Sequence, residues 1–584
     1  MSNLVQLEIN GIPVSVPVGT TILNAAKAVH VKIPTLCYHP DLKAWAACGI
    51  CVVRATGSPK LLRACCTEVA PGMKISTHDA DIVRVRRAVL ELILANHPND
   101  CLQCPRNNNC ELQRLAADFG IRDNPFPADV PSIPVDTSTP SIVLNPEKCV
   151  KCGRCAIVCQ EMQNVWALEF IGRGEKTRMA PAADVTLNES PCIKCGQCSA
   201  HCPVGAIYER SQTRQVWSAL RDTDKYCVVQ IAPAVRVAIG EAFGLPPGKL
   251  MTGETYAALR RLGFKAVFDT NYSADLTIME EGSEFIKRFT TGESLPLITS
   301  CCPAWTDWME KYAQDFMSNF STAKSPQQML GVLAKTYYAE KMGIDPAKIF
   351  MVSIMPCTAK KFEISRSITM AASGYQDIDV VLTTRELARM LKSAGIDFPK
   401  LEKEEADSIL GEYTGAGTIF GVTGGVMEAA LRTAYCLITK EDQPPSINFE
   451  AVRGMEGVKE ATIDIKGTSV RVAVAHQMGN VEQVLDAIRE DRKAGRKPRY
   501  DFIEVMACRG GCIGGGGQPT GATDEVRKAR TAGLYTDDEK SVLRMSHLNP
   551  QIQKLYKEYI GEPLSEKAHD LLHNHYHPKK AYAK

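Results

Sequence analysis

The chain has 584 residues, with 68 lysines and arginines against 66 aspartates and glutamates and a hydrophobic share of 45%. That length is too great for one core and implies roughly three to five domains, while the balanced charge argues against bulk nucleic-acid binding. The 23 cysteines stand out: the chain is too long for a secreted disulfide scaffold, so in a reducing cytosol clustered cysteines read as metal ligands. Met1 to Asn10 lacks the basic head and apolar core of a signal peptide. No apolar run reaches the roughly eighteen residues of a membrane span, so the expected location is cytoplasmic, with no membrane and no nucleic acid as partner.

Residues 4–16 alternate apolar and polar around Asn10-Gly11, which predicts a β-hairpin. Thr21 is placed to cap a short helix through Val29, and a cysteine-bearing loop follows. This order predicts a β-grasp, ferredoxin-like domain over residues 1–80. Residues 81–137 form the next expected domain, helical on both sides of a cysteine loop at 97–110, and Asp123 to Pro140 reads as a linker rich in proline, aspartate and serine. Residues 138–212 carry two similar cysteine runs. A large domain is expected over residues 213–545, where Cys227–Ile231, Ile349–Ile354 and Val380–Leu382 alternate with helical patterns. That alternation predicts two α/β lobes with mostly parallel sheets. Residues 546–584 begin helical and end rich in histidine and lysine. The fold class is therefore multidomain, α/β and α+β.

Cys149, Cys152, Cys155 and Cys159 form C-x2-C-x2-C-x3-C, and Cys192, Cys195, Cys198 and Cys202 repeat it, followed by Pro203. A cubane needs thiolates converging from one tight loop, and in two-cluster ferredoxins the fourth cysteine serves the other cluster. Cys149, Cys152, Cys155 and Cys202 are thus expected on one 4Fe–4S cluster, and Cys192, Cys195, Cys198 and Cys159 on the other. Gln160 stands where the first run would have proline. Zinc is the alternative metal. Nearer the N-terminus, Cys37, Cys48, Cys51 and Cys65 are expected to hold a 2Fe–2S cluster, with zinc or a disulfide as the alternative. Cys66 is left over as a buried small hydrophobe. His97, Cys101, Cys104 and Cys110 suit either zinc or a third accessory 4Fe–4S cluster, and their place between two redox centres favours the cluster.

Three further motifs make no local site: Thr299-Ser300-Cys301-Cys302-Pro303, Met355-Pro356-Cys357, and Met506-Ala507-Cys508-Arg509-Gly510-Gly511-Cys512. Each follows a strand-like run, and strand ends are where α/β folds gather ligand sites. Each alone would read as a buried free cysteine; together, four thiolates from three loops suit one cubane between two lobes. Gly510, Gly511 and Gly514 to Gly517 permit close backbone approach to such a cluster. No Walker lysine and serine follow them, and Gly415-Ala416-Gly417 completes no dinucleotide fingerprint, so flavin and NAD(P) are not expected on this chain.

At this point the chain resembles the FeFe, or iron-only, hydrogenases. The three motifs look like that family's signature, with alanine after the first proline, and the likeness covers nearly the whole chain. Thr277-Ile278-Met279-Glu280-Glu281, Ala323-Lys324-Ser325-Pro326-Gln327-Gln328 and Thr423-Gly424-Gly425-Val426-Met427-Glu428 match as well. The resemblance implies that Cys302, Cys357, Cys508 and Cys512 hold the 4Fe–4S part of an H-cluster. Cys512 would bridge to a diiron subsite carrying carbonyl, cyanide and an amine-containing dithiolate. Cys301 would stay free of iron and exchange protons with that amine, and Lys360 would donate to a cyanide. Met355, Met506, Ala232 and Pro233 would border the diiron group. Ala234 stands where some relatives have a serine that bonds a cyanide.

Glu281, Glu284 and Arg288 fall at i, i+3 and i+7 of a predicted helix and so share a face. By themselves they read more readily as a solvated charged face; the resemblance implies instead a proton relay with Ser321 and Cys301. An iron–sulfur subunit of a respiratory NADH dehydrogenase would explain the first 210 residues but not the three remote motifs. A non-catalytic assembly or sensory relative would lack part of the diiron surroundings. The implied partners are flavin- and NAD(P)-binding iron–sulfur subunits of an electron-bifurcating, anaerobic complex, and ferredoxin; a solitary ferredoxin-linked enzyme is the alternative.

Overall fold

The computed structural model describes residues 4–126, 132–441 and 443–582. The predicted linker falls partly outside these; within it, Asp136 pairs with Leu144 in an antiparallel bridge. At the N-terminus, strands Leu4–Ile9 and Ile12–Pro17 form the expected hairpin. Asn10 and Gly11 have φ of 52° and 82°, and positive φ at both central residues suits the turn that matches strand twist. Leu4–Ile9 also pairs in parallel with Lys74–Ser76, giving a five-stranded sheet that is crossed by the helix Ile22–Ala28, with Thr21 as its cap. Helices Ala80–Ala95 and Glu111–Asp118 flank the next cysteine loop.

Strands Ile142–Leu144 and Ile207–Glu209 pair antiparallel and bring together the two ends of the segment that carries both cysteine runs. The sequence repeat is also a backbone repeat. Lys151 and Gly153 in one loop, and Lys194 and Gly196 in the other, all have positive φ. In each loop the lysine amide donates to the first cysteine sulfur at 3.4 Å.

The large domain holds two four-stranded sheets. The first runs Ala266–Asp269, Tyr226–Ile231, Ile349–Met355, Val380–Thr383, all parallel. The second runs Leu297–Ile298, Phe502–Met506, Thr468–His476, Val458–Ile465; only its last pair is antiparallel. Val228, Val229, Val352 and Ile354 are fully buried. Both faces of the first sheet are covered, which is why its strands read as continuous apolar runs. The helix Thr270–Thr291 starts at Asp269, whose carboxylate accepts from the Asn271 amide, and stops at Gly292 with φ of 73°. It carries the predicted relay carboxylates in its buried middle.

Candidate active site

Four strands end at one place. Leu297–Ile298 leads to Cys301 and Cys302, Ile349–Met355 to Cys357, Phe502–Met506 to Cys508 and Cys512, and Tyr226–Ile231 to Ala232 and Pro233. The residues after these strands line a single cavity with about 770 Å³ of empty space. Cys301, Cys302, Cys357, Cys508 and Cys512 face it, with Lys360, Met355, Met506, Ala232, Pro233, Ala234 and Phe420. Ala234 offers only a methyl group, as the sequence implied. Sequence-distant cysteines thus converge because both sheets present their carboxyl ends to the same cleft. Gly511 has φ of 93°, and a Cβ there would lie 2.7 Å from the Thr423 amide nitrogen and 2.8 Å from the Met506 sulfur.

The donor set fits an iron–sulfur group. Burial pushes the Cys357 thiol up to about 12 and the Cys508 and Cys512 thiols well above their ordinary range. Thiols raised this far, as at Cys357, Cys508 and Cys512, keep their protons at neutral pH; metal binding is what replaces them. Gln197 reaches in from the second cysteine run, donating from Nε2 to the Cys508 sulfur at 3.1 Å and to the Gly514 carbonyl at 2.9 Å. Gly516 lies against the Cys195 carbonyl so closely that any Cβ would collide with it.

The accessory cysteines also gather. Cys149, Cys152, Cys155 and Cys202 line one cavity, and Cys159, Cys192, Cys195 and Cys198 line another, each with about 350 Å³ of empty space. Cys37 contacts Cys48 and Cys65, and Cys51 contacts Cys65. His97 is buried and its Nδ1 has no partner; burial, with Lys148 nearby, pulls it down to about 4, which leaves a neutral imidazole. Cys104 lies against Gly205, just past the second run. A tetrahedral zinc would bring its sulfurs to about 3.8 Å of one another. Among the described residues the one trio of donor atoms all within 4.8 Å is His39, Asp41 and His201. There Arg527 already holds the Asp41 carboxylate at 2.6 Å. Cys66 corrects the expectation: it is exposed. Ala64 and Cys65 take the inward positions of this turn, and the next side chain points to solvent.

Glu281 is buried, with the Ser321 hydroxyl and Ser300 amide against its carboxyl. Burial first, then Glu284 and Glu504, pushes it up to about 8. Its Oε2 has no partner. Burial also raises the Cys301 thiol, with the Glu281 carboxylate adding to the shift. Ser321 Oγ donates to Glu284 Oε2 at 3.1 Å, and Arg288 Nη2 to Glu284 Oε1 at 2.6 Å. The helix face predicted from spacing is therefore an inward one, reaching partial exposure only at Arg288. Lys360 Nζ donates to the Cys301 carbonyl at 3.1 Å and to Glu363 at 2.9 Å. Burial opposes its charge, but Glu363, joined by the Cys301 and Cys357 sulfurs, holds the ammonium above its usual range.

Several participants escaped sequence reading. Glu363 also accepts from Ser325 and Gln327. Glu504, buried in a strand, accepts from the Gly424 and Met427 amides. Gln197 lay in plain view inside Cys195-Gly196-Gln197-Cys198. A carboxylate within an apolar strand, as in Phe502–Met506, was the signal for Glu504.

Comparison with known proteins agrees along the chain. The model described as "iron only hydrogenase large subunit, C-terminal domain" matches residues 225–516, and "iron hydrogenase small subunit" matches 524–579. A 2Fe–2S cluster binding domain matches 2–80, an NADH-ubiquinone oxidoreductase-G iron–sulfur binding region 86–125, and a 4Fe–4S dicluster domain 148–206. The chain is 46% identical to the NADP-reducing hydrogenase subunit HndD of Solidesulfovibrio fructosivorans, over 98% of this chain and 99% of that one. It is 40% identical to iron hydrogenase 1 of Clostridium pasteurianum, over 97% and 99%. A solved apo FeFe-hydrogenase HydA1 variant from Chlamydomonas reinhardtii is 43% identical, with a TM-score of 0.56, over 64% of this chain and all of that one.

Proposed function

The chain belongs to the iron-only hydrogenase family, and on that premise we propose that its cysteine-lined cavity is where hydrogen is oxidised and protons are reduced. The protein is a hydrogenase, with an H-cluster domain, a 2Fe–2S domain and 4Fe–4S domains. One observation carries the placement of the site: five cysteines from three distant motifs face one cavity beside Lys360. Cys302, Cys357, Cys508 and Cys512 would hold the H-cluster, which when bound supplies the heterolytic cleavage of hydrogen and accepts its electrons.

The chain's own residues bind, orient and move protons. Met355, Met506, Phe420 and Pro233 exclude water, so electrostatic contacts inside act at low dielectric. Lys360 offers a fixed positive charge whose orientation Glu363 sets. Cys301 holds a proton at its sulfur. Glu281 takes it, since its pKa near 8 suits a carrier working close to neutrality. Ser321 and Glu284 pass it on, and Arg288 marks the exit. Gln197 and Gly516 hold the second cysteine run against the catalytic loop, so electrons leave on that side, toward the dicluster segment and then the His97 and Cys37 sites.

The near-complete likeness to a subunit named as NADP-reducing supports a hetero-oligomer whose other subunits bind flavin and NAD(P). Co-purification tests this: a solitary active chain with no nucleotide-dependent activity refutes it. Cys301→Ala and Glu281→Gln test the route. Each is expected to lower turnover by about 10²–10⁴-fold while iron content and infrared carbonyl and cyanide bands persist. Full turnover in either refutes the route.

A further inference from the structure

The histidine-rich tail returns to the proton route. Residues 572–576 run antiparallel to 322–324. The Lys324 amide donates to the Leu572 carbonyl, and the Asn574 amide to the Thr322 carbonyl, both at 2.8 Å, around an Ala323–His573 bridge. The Tyr576 hydroxyl donates to the Ser321 carbonyl at 2.6 Å. The segment under this strap carries Ser321, and its Thr322 amide donates to Glu284 Oε2 at 3.0 Å.

His573 is the strap's centre and is buried. Its Nε2 lies 3.0 Å from Glu280 Oε2, and its Nδ1 lies 2.7 Å from the Thr322 hydroxyl. Glu280 also accepts from the Tyr556 hydroxyl at 2.5 Å and the Leu564 amide at 2.9 Å. A carboxylate so surrounded by donors is placed to accept from Nε2–H, which leaves Nδ1 to accept from the Thr322 hydroxyl. Glu280 and Glu284 are four residues apart on one face of the helix Thr270–Thr291. Thr322 thus touches the anchored carboxylate's partner with its hydroxyl and the relay carboxylate with its amide. From the other side, the Ser321 amide bonds the Ile298 carbonyl, and Ser300 and Arg288 bond the Ala323 and Phe320 carbonyls.

We propose that the carboxy-terminal strap, residues 572–576, positions the proton route, with His573 as the positioning residue that sets Thr322 and Ser321 against Glu284. The inference rests on the route proposed above. The groups facing His573 are Glu280, Thr322 and the exposed His569, whose ring centroid is 4.3 Å away. Tyr556 acts through Glu280, and Glu281, Glu284, Arg288 and Lys287 belong to the same helix.

The test uses the full-length holoenzyme carrying His573→Ala, His573→Asn, Thr322→Val or Glu281→Gln. Hydrogen oxidation with a viologen dye is followed across pH in H2O and D2O. In His573→Ala, kcat should fall about tenfold, the solvent isotope effect should rise and the pH optimum should move, while KM for hydrogen and the infrared bands stay unchanged. His573→Asn, which keeps an acceptor near the Nδ1 position, should recover most of the rate. Thr322→Val should repeat the alanine phenotype. A His573→Ala enzyme with unaltered rate, isotope effect and pH profile overturns the inference. So does loss of the infrared bands together with the rate in both His573→Ala and Thr322→Val, which would mark a role in assembly. Full turnover in Glu281→Gln would refute the route itself, whatever His573 does.

Discussion

The dicluster segment and the catalytic cavity both collect cysteines, by opposite means. In the first, two short loops with the same spacing and the same positive-φ turns exchange their fourth cysteines across a pair of cavities of equal size. In the second, the cysteines arrive from strand ends of two different sheets, and the cavity between them is larger and lined by methionine, proline and phenylalanine as well. A loop-built site needs only its own turn geometry. A site built at strand ends inherits the rigidity of two buried sheets, which suits chemistry that depends on placement.

The comparison is broken most severely by exchanging one ligand on each side. Cys357→Ser should abolish hydrogen turnover and the infrared carbonyl and cyanide bands together. Cys149→Ser should keep those bands and lose only electron delivery, by about tenfold or more. Loss of the bands in Cys149→Ser would show that the two regions are not separable. A smaller effect tests the dry cavity edge through stability. Glu281 sits near 8 in the fold against 4.5 for an unperturbed glutamate, so between those values the unfolded chain releases a proton that the folded one keeps. Stability is therefore lost as pH rises through that window. Glu281→Gln should remove this slope, and denaturation curves at pH 5 and pH 8 measure it; an unchanged slope would place the titration elsewhere. The smallest effect belongs to Cys66→Ser, expected within about 0.5 kcal/mol of the parent and with unaltered iron content, since the side chain is exposed. Loss of iron there would make Cys66 a ligand in exchange with Cys65.

The sequence by itself determined whatever depends on neighbours along the chain. The hairpin at Asn10-Gly11, the Thr21 cap and the apolar runs of the parallel sheet follow from local turn chemistry and periodicity. The pairing of Cys202 and Cys159 with the opposite runs also followed, because spacing limits which sulfurs one short loop can aim inward. Tertiary structure decided the rest. Glu363 and Glu504 look like ordinary acidic residues until a lysine, amides and a buried cavity surround them. Cys66 looked as buried as Cys65 until the turn was closed. The tail's histidine and lysine content carried no sign that His573 lies beside Glu280, nearly three hundred residues away in the chain. Such contacts depend on how distant segments pack, and no local pattern encodes them because the partner groups meet only once both sheets and the helix between them are in place.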